Sequence, residues 1–188
     1  MTCRPLLAVC ACLLLGVLPS LQAAPAVASP ELIPHPAQLT MAEGGFRVDA
    51  RTPLVIVDPA SATRRTAGYL ADLLARTRGL HLRVTSGDAG SAAIVLQRDP
   101  KAPVIQAGGY ALDVTSRGIR IRARDDAGLF HGVITLWQLL TPDARTGAVD
   151  VPALHIRDWP RFAWRGLMLD SARHFQSVAG SERLLDQM

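Results

Sequence analysis

Residues 110–123 read Tyr110-Ala111-Leu112-Asp113-Val114-Thr115-Ser116-Arg117-Gly118-Ile119-Arg120-Ile121-Arg122-Ala123. The large apolar residues fall at every second position on both sides of Ser116-Arg117-Gly118. A period of two is that of a strand, whose side chains alternate between faces. Two such runs about a Gly-containing turn predict a β-hairpin with one buried and one wet face. Arg120 and Arg122 then stand on the wet face. That placement accounts for much of the chain's positive charge without a partner.

The neighbouring segments extend the pattern. Asp125-Asp126 caps a predicted helix from Ala127 to about Leu140, with Leu129, Phe130, Val133, Leu136, Trp137 and Leu140 as its apolar stripe. Thr141-Pro142 ends it. Upstream, Ala92 to Leu96 and Leu54 to Val57 are short apolar runs suited to buried strands, and Leu80 to Val84 alternates as a strand. Ser61 to Thr77 has helical spacing, with Tyr69, Leu70, Leu73 and Leu74 on one face, Ser61 as N-cap and Gly79 as the stop. Ser29 to Met41, with Pro30, Pro34 and Pro36, reads as an extended lead-in. Residues 27–150 are therefore expected to form an α+β domain: a mostly antiparallel sheet with two helices on one face.

Composition agrees with a packed domain. Of 188 residues, 49% are hydrophobic and 19% charged, which excludes a disordered or collagen-like chain. Net charge is +4, carried almost wholly by arginine, with Lys101 the single lysine. The arginines alternate with Asp and form no block, so nucleic-acid binding is not expected.

Residues 1–26 read as a signal peptide. Arg4 supplies the positive n-region, and Leu6 to Leu18 is an apolar run shorter than the roughly 20 residues of a spanning helix. Small-residue cleavage patterns follow at Ala24-Pro25-Ala26 and Ala26-Val27-Ala28. The expectation is an exported protein, periplasmic or extracellular, with no stable membrane span after cleavage; the alternative is an uncleaved anchor. Cys3, Cys10 and Cys12 all lie in or beside this run, so the mature chain would hold no disulfide and no thiolate.

The character changes after residue 150. Val151 to Pro160 reads as a connection. Arg165-Gly166-Leu167-Met168-Leu169-Asp170 has the continuous apolar centre of a strand buried on both faces. A polar loop, Ser171 to Phe175, and the start of a helix from Ser181 follow. Residues 151–188 thus predict one βα unit, the front of a longer protein.

Common catalytic patterns are missing: there is no H-E-x-x-H, G-x-S-x-G, P-loop or G-x-G-x-x-G. His35, His81, His131, His155 and His174 are scattered without ligand spacing, so neither metal nor cofactor is expected. One constellation stands out, Asp170-Ser171-Ala172-Arg173-His174-Phe175, at the carboxyl end of the predicted buried strand. In a β/α barrel the active site is built from loops at that end. The Arg173 guanidinium is a fixed fork of donors suited to vicinal hydroxyls, a carboxylate or a phosphate. The structural alternative is that Arg173 pairs with Asp170 to hold the loop.

Several motifs then fall in order: Gly109-Tyr110-Ala111-Leu112, Gly118-Ile119-Arg120-Ile121, Ala127-Gly128-Leu129-Phe130-His131-Gly132 and Thr135-Leu136-Trp137-Gln138-Leu139-Leu140. Together they resemble the accessory domain of family 20 β-N-acetylhexosaminidases. Ile156-Arg157-Asp158-Trp159-Pro160-Arg161-Phe162 and Trp164 to Phe175 look like the opening of that family's catalytic barrel. The resemblance implies an α+β accessory domain followed by the first βα unit of a truncated (β/α)8 barrel.

It also implies hydrolysis of terminal N-acetylhexosamine residues by a substrate-assisted retaining mechanism, outside the usual two-carboxylate scheme. The acetamido oxygen of the substrate attacks its own anomeric carbon, an Asp orients the acetamide, and the adjacent Glu serves as acid and then base. Proximity favours this route, because the nucleophile is tethered to the sugar. Arg173 matches the Arg that binds hydroxyls of the terminal non-reducing sugar. The expected partners are oligosaccharides or glycoconjugates containing N-acetylglucosamine or N-acetylgalactosamine. The family's His-x-Gly-Gly-Asp-Glu-like motif is not in these residues, so no catalytic residue is assigned and the chain alone is expected to be inactive. The accessory fold in this family resembles a zinc-peptidase scaffold, but without H-E-x-x-H no metal and no peptidase activity are expected. The competing expectation is a non-catalytic exported module that binds glycans or only packs.

Overall fold

The hairpin forms as its alternation dictates. Strands β5 (Tyr110–Thr115) and β6 (Gly118–Ala123) pair antiparallel, with Leu112 opposite Ile121 and Asp113 opposite Arg120. They lie at the centre of one seven-stranded sheet in a computed structural model that describes residues 29–58, 60–88 and 90–186. The signal-peptide reading and the three cysteines fall outside the described residues.

The other strands are β1 (Gln38–Val48), β2 (Leu54–Ile56), β3 (Val84–Ser86), β4 (Ala93–Arg98) and β7 (Val149–Asp158), in the order β1-β7-β5-β6-β4-β2-β3. The sheet is mixed, which corrects the mostly antiparallel expectation. β1, β7, β5 and β6 pair antiparallel, whereas β6–β4, β4–β2 and β2–β3 are parallel. The reason is the crossover: helix α1 (Ser61–Arg78) carries the chain from β2 back to the same end of the sheet, so β3 runs parallel to β2.

Two further expectations change. Residues 38–41 open the edge strand β1, so the lead-in is shorter than the prolines suggest. The stretch from Val151 to Asp158 is not a connection but most of β7, which pairs with both β1 and β5 and carries the sheet past residue 150. Its Pro152 sits opposite Gly45, where the register shifts, so the missing N–H falls at an irregularity and not within a regular ladder. Leu80 and Leu82 are buried, yet the neighbouring strand begins only at Val84.

Helices α1 and α2 (Asp126–Leu140) cover one face of the sheet, as expected. The core joins Leu70 and Leu74 of α1, Val133 and Leu136 of α2, and Leu112, Ile119, Ile121 and Ile156 of the sheet, none more than 1% exposed. Burying each such side chain contributes about 1.5–3 kcal/mol. Tyr69 and Phe130, read from spacing as core residues, instead point outward and meet each other with ring centroids 5.5 Å apart.

The helix ends follow local chemistry. Asp125 caps α2 as predicted: Oδ1 accepts from the Gly128 N–H at 2.7 Å, and Oδ2 accepts from the Gly108 N–H at 2.9 Å. Ser61 is the first helical residue of α1 and not its cap; Ala60 holds the cap position and has no side-chain bond to give. Gly79 stops α1 in the left-handed region at φ 69°, where a side chain would be strained.

Candidate functional site

The strand predicted at Arg165–Asp170 does not form; this segment has no regular secondary structure. A buried strand needs paired strands at its edges and layers over both faces, and no strand pairs with this segment among the described residues. Trp164, Leu167, Met168, Leu169 and Phe175 are exposed in consequence. The last helix, α3 (Val178–Leu185), starts earlier than predicted and buries none of its side chains. Ser177 caps it through Oγ, which accepts from the Gly180 N–H at 3.1 Å.

Between them lies the predicted sugar-binding turn. Asp170 Oδ1 accepts from the backbone N–H groups of Ala172 and Arg173 at 3.1 and 3.2 Å, an Asx-type turn. Arg173 Nε forms an ion pair with Asp170 Oδ2 at 3.1 Å. Arg173 is thus held by Asp170, as the structural alternative requires. Its side chain is 84% exposed, so the terminal guanidinium nitrogens face solvent. The shallow groove between α1 and α2, about 370 Å³, is lined by Ala62, Arg65, Thr66, Tyr69, Asp126 and Phe130, far along the chain from residue 173.

Two polar clusters escaped sequence reasoning. The first closes the end of β7. Tyr110, 2% exposed, donates its hydroxyl hydrogen to Asp158 Oδ2 at 3.1 Å and accepts from Thr135 Oγ1 at 2.6 Å. Asp158 Oδ1 accepts from the Ala37 N–H at 3.0 Å. Burial pushes the Tyr110 hydroxyl pKa above its ordinary value; Thr135 opposes this, and the Asp158 charge and hydrogen bond add to it.

The second lies on the sheet face that the helices leave bare. Asp113 Oδ1 accepts from His155 Nδ1 at 2.8 Å and from Arg157 Nη1 at 2.9 Å; Arg122 Nη2 stands 3.7 Å from Oδ2. Burial raises the Asp113 carboxyl, but the hydrogen bonds and charges of His155 and Arg157 prevail and hold it below the usual carboxylate range. The signal for this cluster was present: Asp113, His155, Arg120, Arg122 and Arg157 occupy alternate positions of paired strands. Only the strand order brings them together.

Among the described residues no cluster of three or more His, Cys, Asp or Glu side chains could hold a metal, and no helix is long and apolar enough to cross a membrane.

The chain's similarities fit this architecture. Residues 29–159 match glycosyl hydrolase family 20, domain 2, and residues 162–188 match the catalytic domain of the same family. A beta-hexosaminidase of Porphyromonas gingivalis is 34% identical over 95% of this chain and 24% of its own length. A beta-N-acetylhexosaminidase of Cellulomonas fimi is 35% identical over 78% of this chain and 29% of its own. The solved structure of the GH20 beta-N-acetylhexosaminidase from Streptomyces coelicolor superimposes with a TM-score of 0.69 at 39% identity, over 81% of this chain and 31% of that one. The chain spans about a quarter of the length of the first of these relatives. By the order of both domain matches and by the shared fold, this chain belongs to glycosyl hydrolase family 20.

Proposed function

We propose that this chain is the leading part of an exported β-N-acetylhexosaminidase: a signal peptide, the accessory domain and the first βα unit of a catalytic barrel. The observation that carries the reading is the back-to-back match of domain 2 and the start of the catalytic domain, in that order, on one continuous chain. The reaction is removal of a terminal non-reducing N-acetylhexosamine, with the acetamido group of the substrate as nucleophile.

Arg173 supports the reading chemically. Its Nε pairs with Asp170, while the side chain stays largely exposed and its terminal nitrogens remain a donor fork. A planar fork of donors can take two adjacent sugar hydroxyls. The acid–base Glu and its neighbouring Asp come from the remainder of the barrel, so residues 29–188 bind and orient but do not cleave. The exposed apolar side chains of residues 162–175 are those that neighbouring barrel strands would cover.

The test uses a chromogenic N-acetyl-β-glucosaminide. A protein in which residues 29–188 continue into a complete family 20 catalytic domain releases the chromophore, and the 188-residue chain does not. A folded longer protein without turnover would overturn the activity. Turnover by the short chain would overturn the division of labour. N-terminal sequencing of protein secreted by a Gram-negative host tests export: an unprocessed Met1 in the product rejects it.

A further inference from the structure

The bare face of the sheet carries more positive charge than its internal pairs consume. Two cross-strand rows run over it. In one, Arg157 of β7, Ala111 of β5, Arg122 of β6 and Gln97 of β4 stand side by side. In the next, His155, Asp113, Arg120 and Val95 do the same. Three guanidiniums and an imidazole therefore surround a single carboxylate, Asp113. Asp150, five residues before His155 on β7, pairs with Arg47 at 2.7 Å.

The pairing within the rows is incomplete. His155 and Arg157 take Asp113 Oδ1. Arg122 reaches only 3.7 Å, too long for a hydrogen bond, and its Nε is buried with no partner. Arg120 bonds the neutral Gln97 Oε1 at 3.1 Å. Two guanidiniums thus remain without a charge partner at hydrogen-bond distance. Arg157 and Arg122 flank the small Ala111, two strand spacings or about 9–10 Å apart. All three arginines are partly exposed.

We propose that this face is an ancillary docking surface for a sulfated polysaccharide containing N-acetylhexosamine. The surface is an uncovered sheet face spanning four strands, suited to an extended polymer and not to a small enclosed ligand. Arginine forks match the oxygens of a sulfate ester in two-point contact. These two rows hold no aromatic side chain on which a nucleotide base could stack. The amino-sugar part of the assignment rests on the hexosaminidase reading; the charge part stands on the geometry alone. Docking here would hold the polymer on the domain while the barrel trims its ends.

Calorimetry of the full chain with chondroitin 4-sulfate tests it, with hyaluronate, neutral chitohexaose and duplex DNA as comparison ligands. Chondroitin sulfate binds, more weakly as salt rises, and chitohexaose gives no heat. The double variant Arg120→Gln/Arg122→Gln lowers the affinity about ten- to a hundredfold. Arg120→Gln alone, which breaks only a bond to a neutral amide, lowers it several-fold with the thermal midpoint unchanged. No binding, or wild-type affinity in both variants, overturns the proposal. Equal binding of hyaluronate overturns the sulfate assignment, and tighter binding of DNA overturns the glycan. The readout needs no turnover, so a longer protein that binds without hydrolysing sinks the enzymatic reading and leaves this surface standing.

Discussion

Tyr110 and Asp158 face each other across the β5–β7 pair, and the phenol donates to the carboxylate at 3.1 Å. The carboxylate can only accept, so the Thr135 hydroxyl must donate to the phenol oxygen at 2.6 Å. Asp158 also accepts from the Ala37 N–H. One carboxylate therefore joins the end of β7 to the central strand β5, to α2 through Thr135, and to the segment leading into β1. It does so at the point where the chain leaves the sheet.

Tyr110→Phe should destabilise the domain by about 1–2 kcal/mol, because Asp158 loses a buried donor. The pH dependence carries a second signature. The folded-state pKa of Tyr110 is raised, so its contribution is fully present below the ordinary tyrosine value near 10 and is lost as pH rises above it. Wild-type stability should fall above about pH 10. The decline should be shallower in Tyr110→Phe. Denaturant melts at pH 8 and pH 10.5 check both; parallel losses in the two proteins would remove Tyr110 from the account.

Arg78 is the other buried anchor, only 3% exposed at the end of α1. Its Nε donates to the Gly147 carbonyl at 3.1 Å, Nη2 to the Ala148 carbonyl at 3.4 Å, and Nη1 to Asp143. The Gly147 N–H returns a bond to the Arg78 carbonyl at 2.7 Å. Arg78→Met should cost about 2–3 kcal/mol, since the aliphatic length is kept while the donors are lost. The hydrogen bond from Arg78, then the Arg145 N–H, hold the Asp143 carboxyl below its ordinary value. Its contribution is present above the usual Asp pKa of about 3.9 and is lost as pH falls through the lowered value. Acid melts of Asp143→Asn should show a flatter decline below pH 4 than wild type.

Two helical glycines should respond with opposite signs to the same substitution. A Cβ on Gly132 would lie 2.6 Å from Ile121 Cγ2 and 3.0 Å from Tyr110 Cδ2, both buried side chains of the central hairpin. Neither can swing out, so Gly132→Ala should lose about 1–2 kcal/mol despite the gain in helix propensity. A Cβ on Gly68 of α1 meets nothing within 4 Å. Gly68→Ala should gain up to about 1 kcal/mol. Thermal midpoints moving in the same direction for both variants would contradict the close approach of α2 to the sheet.

The contrast between these residues shows what was legible beforehand. Periodicity reveals which way a side chain points within its own strand or helix. The alternation in 110–123 therefore predicted the hairpin, its buried face and the wet position of the arginines. Periodicity carries no strand order, so the parallel half of the sheet was out of reach. So was the meeting of Asp113, from β5, with His155 and Arg157, from β7. Prolines misled at Pro152, because a proline at a register shift reads like one in a loop. Tyr69 and Phe130 were misplaced because an apolar ring at helical spacing fits an outward contact as well as a core one. Arg78 was invisible because its burial depends on carbonyls of residues 147 and 148, distant in sequence. The Arg173 turn was legible in part: its Asp170 partner is three residues away, whereas the strand predicted to carry it needs neighbouring strands that none of the described residues supplies.

Arg173 gives the most direct check on the proposed chemistry. No residue of its turn belongs to the buried core, and its side chain is paired with Asp170 and 84% exposed. Arg173→Ala should therefore leave the thermal unfolding of the 188-residue chain unchanged. In a protein with the complete catalytic domain the same change should lower kcat/KM about ten- to a hundredfold, the cost of losing charge-assisted bonds that persist in the transition state. Arg173→Lys keeps the charge but not the fork, and should recover only part of the loss. Asp170→Asn keeps the turn's acceptor while weakening the anchor on Nε, and should raise KM more than it lowers kcat. An unchanged kcat/KM in Arg173→Ala would leave the turn as a purely structural device, held by Asp170 for the sake of the loop.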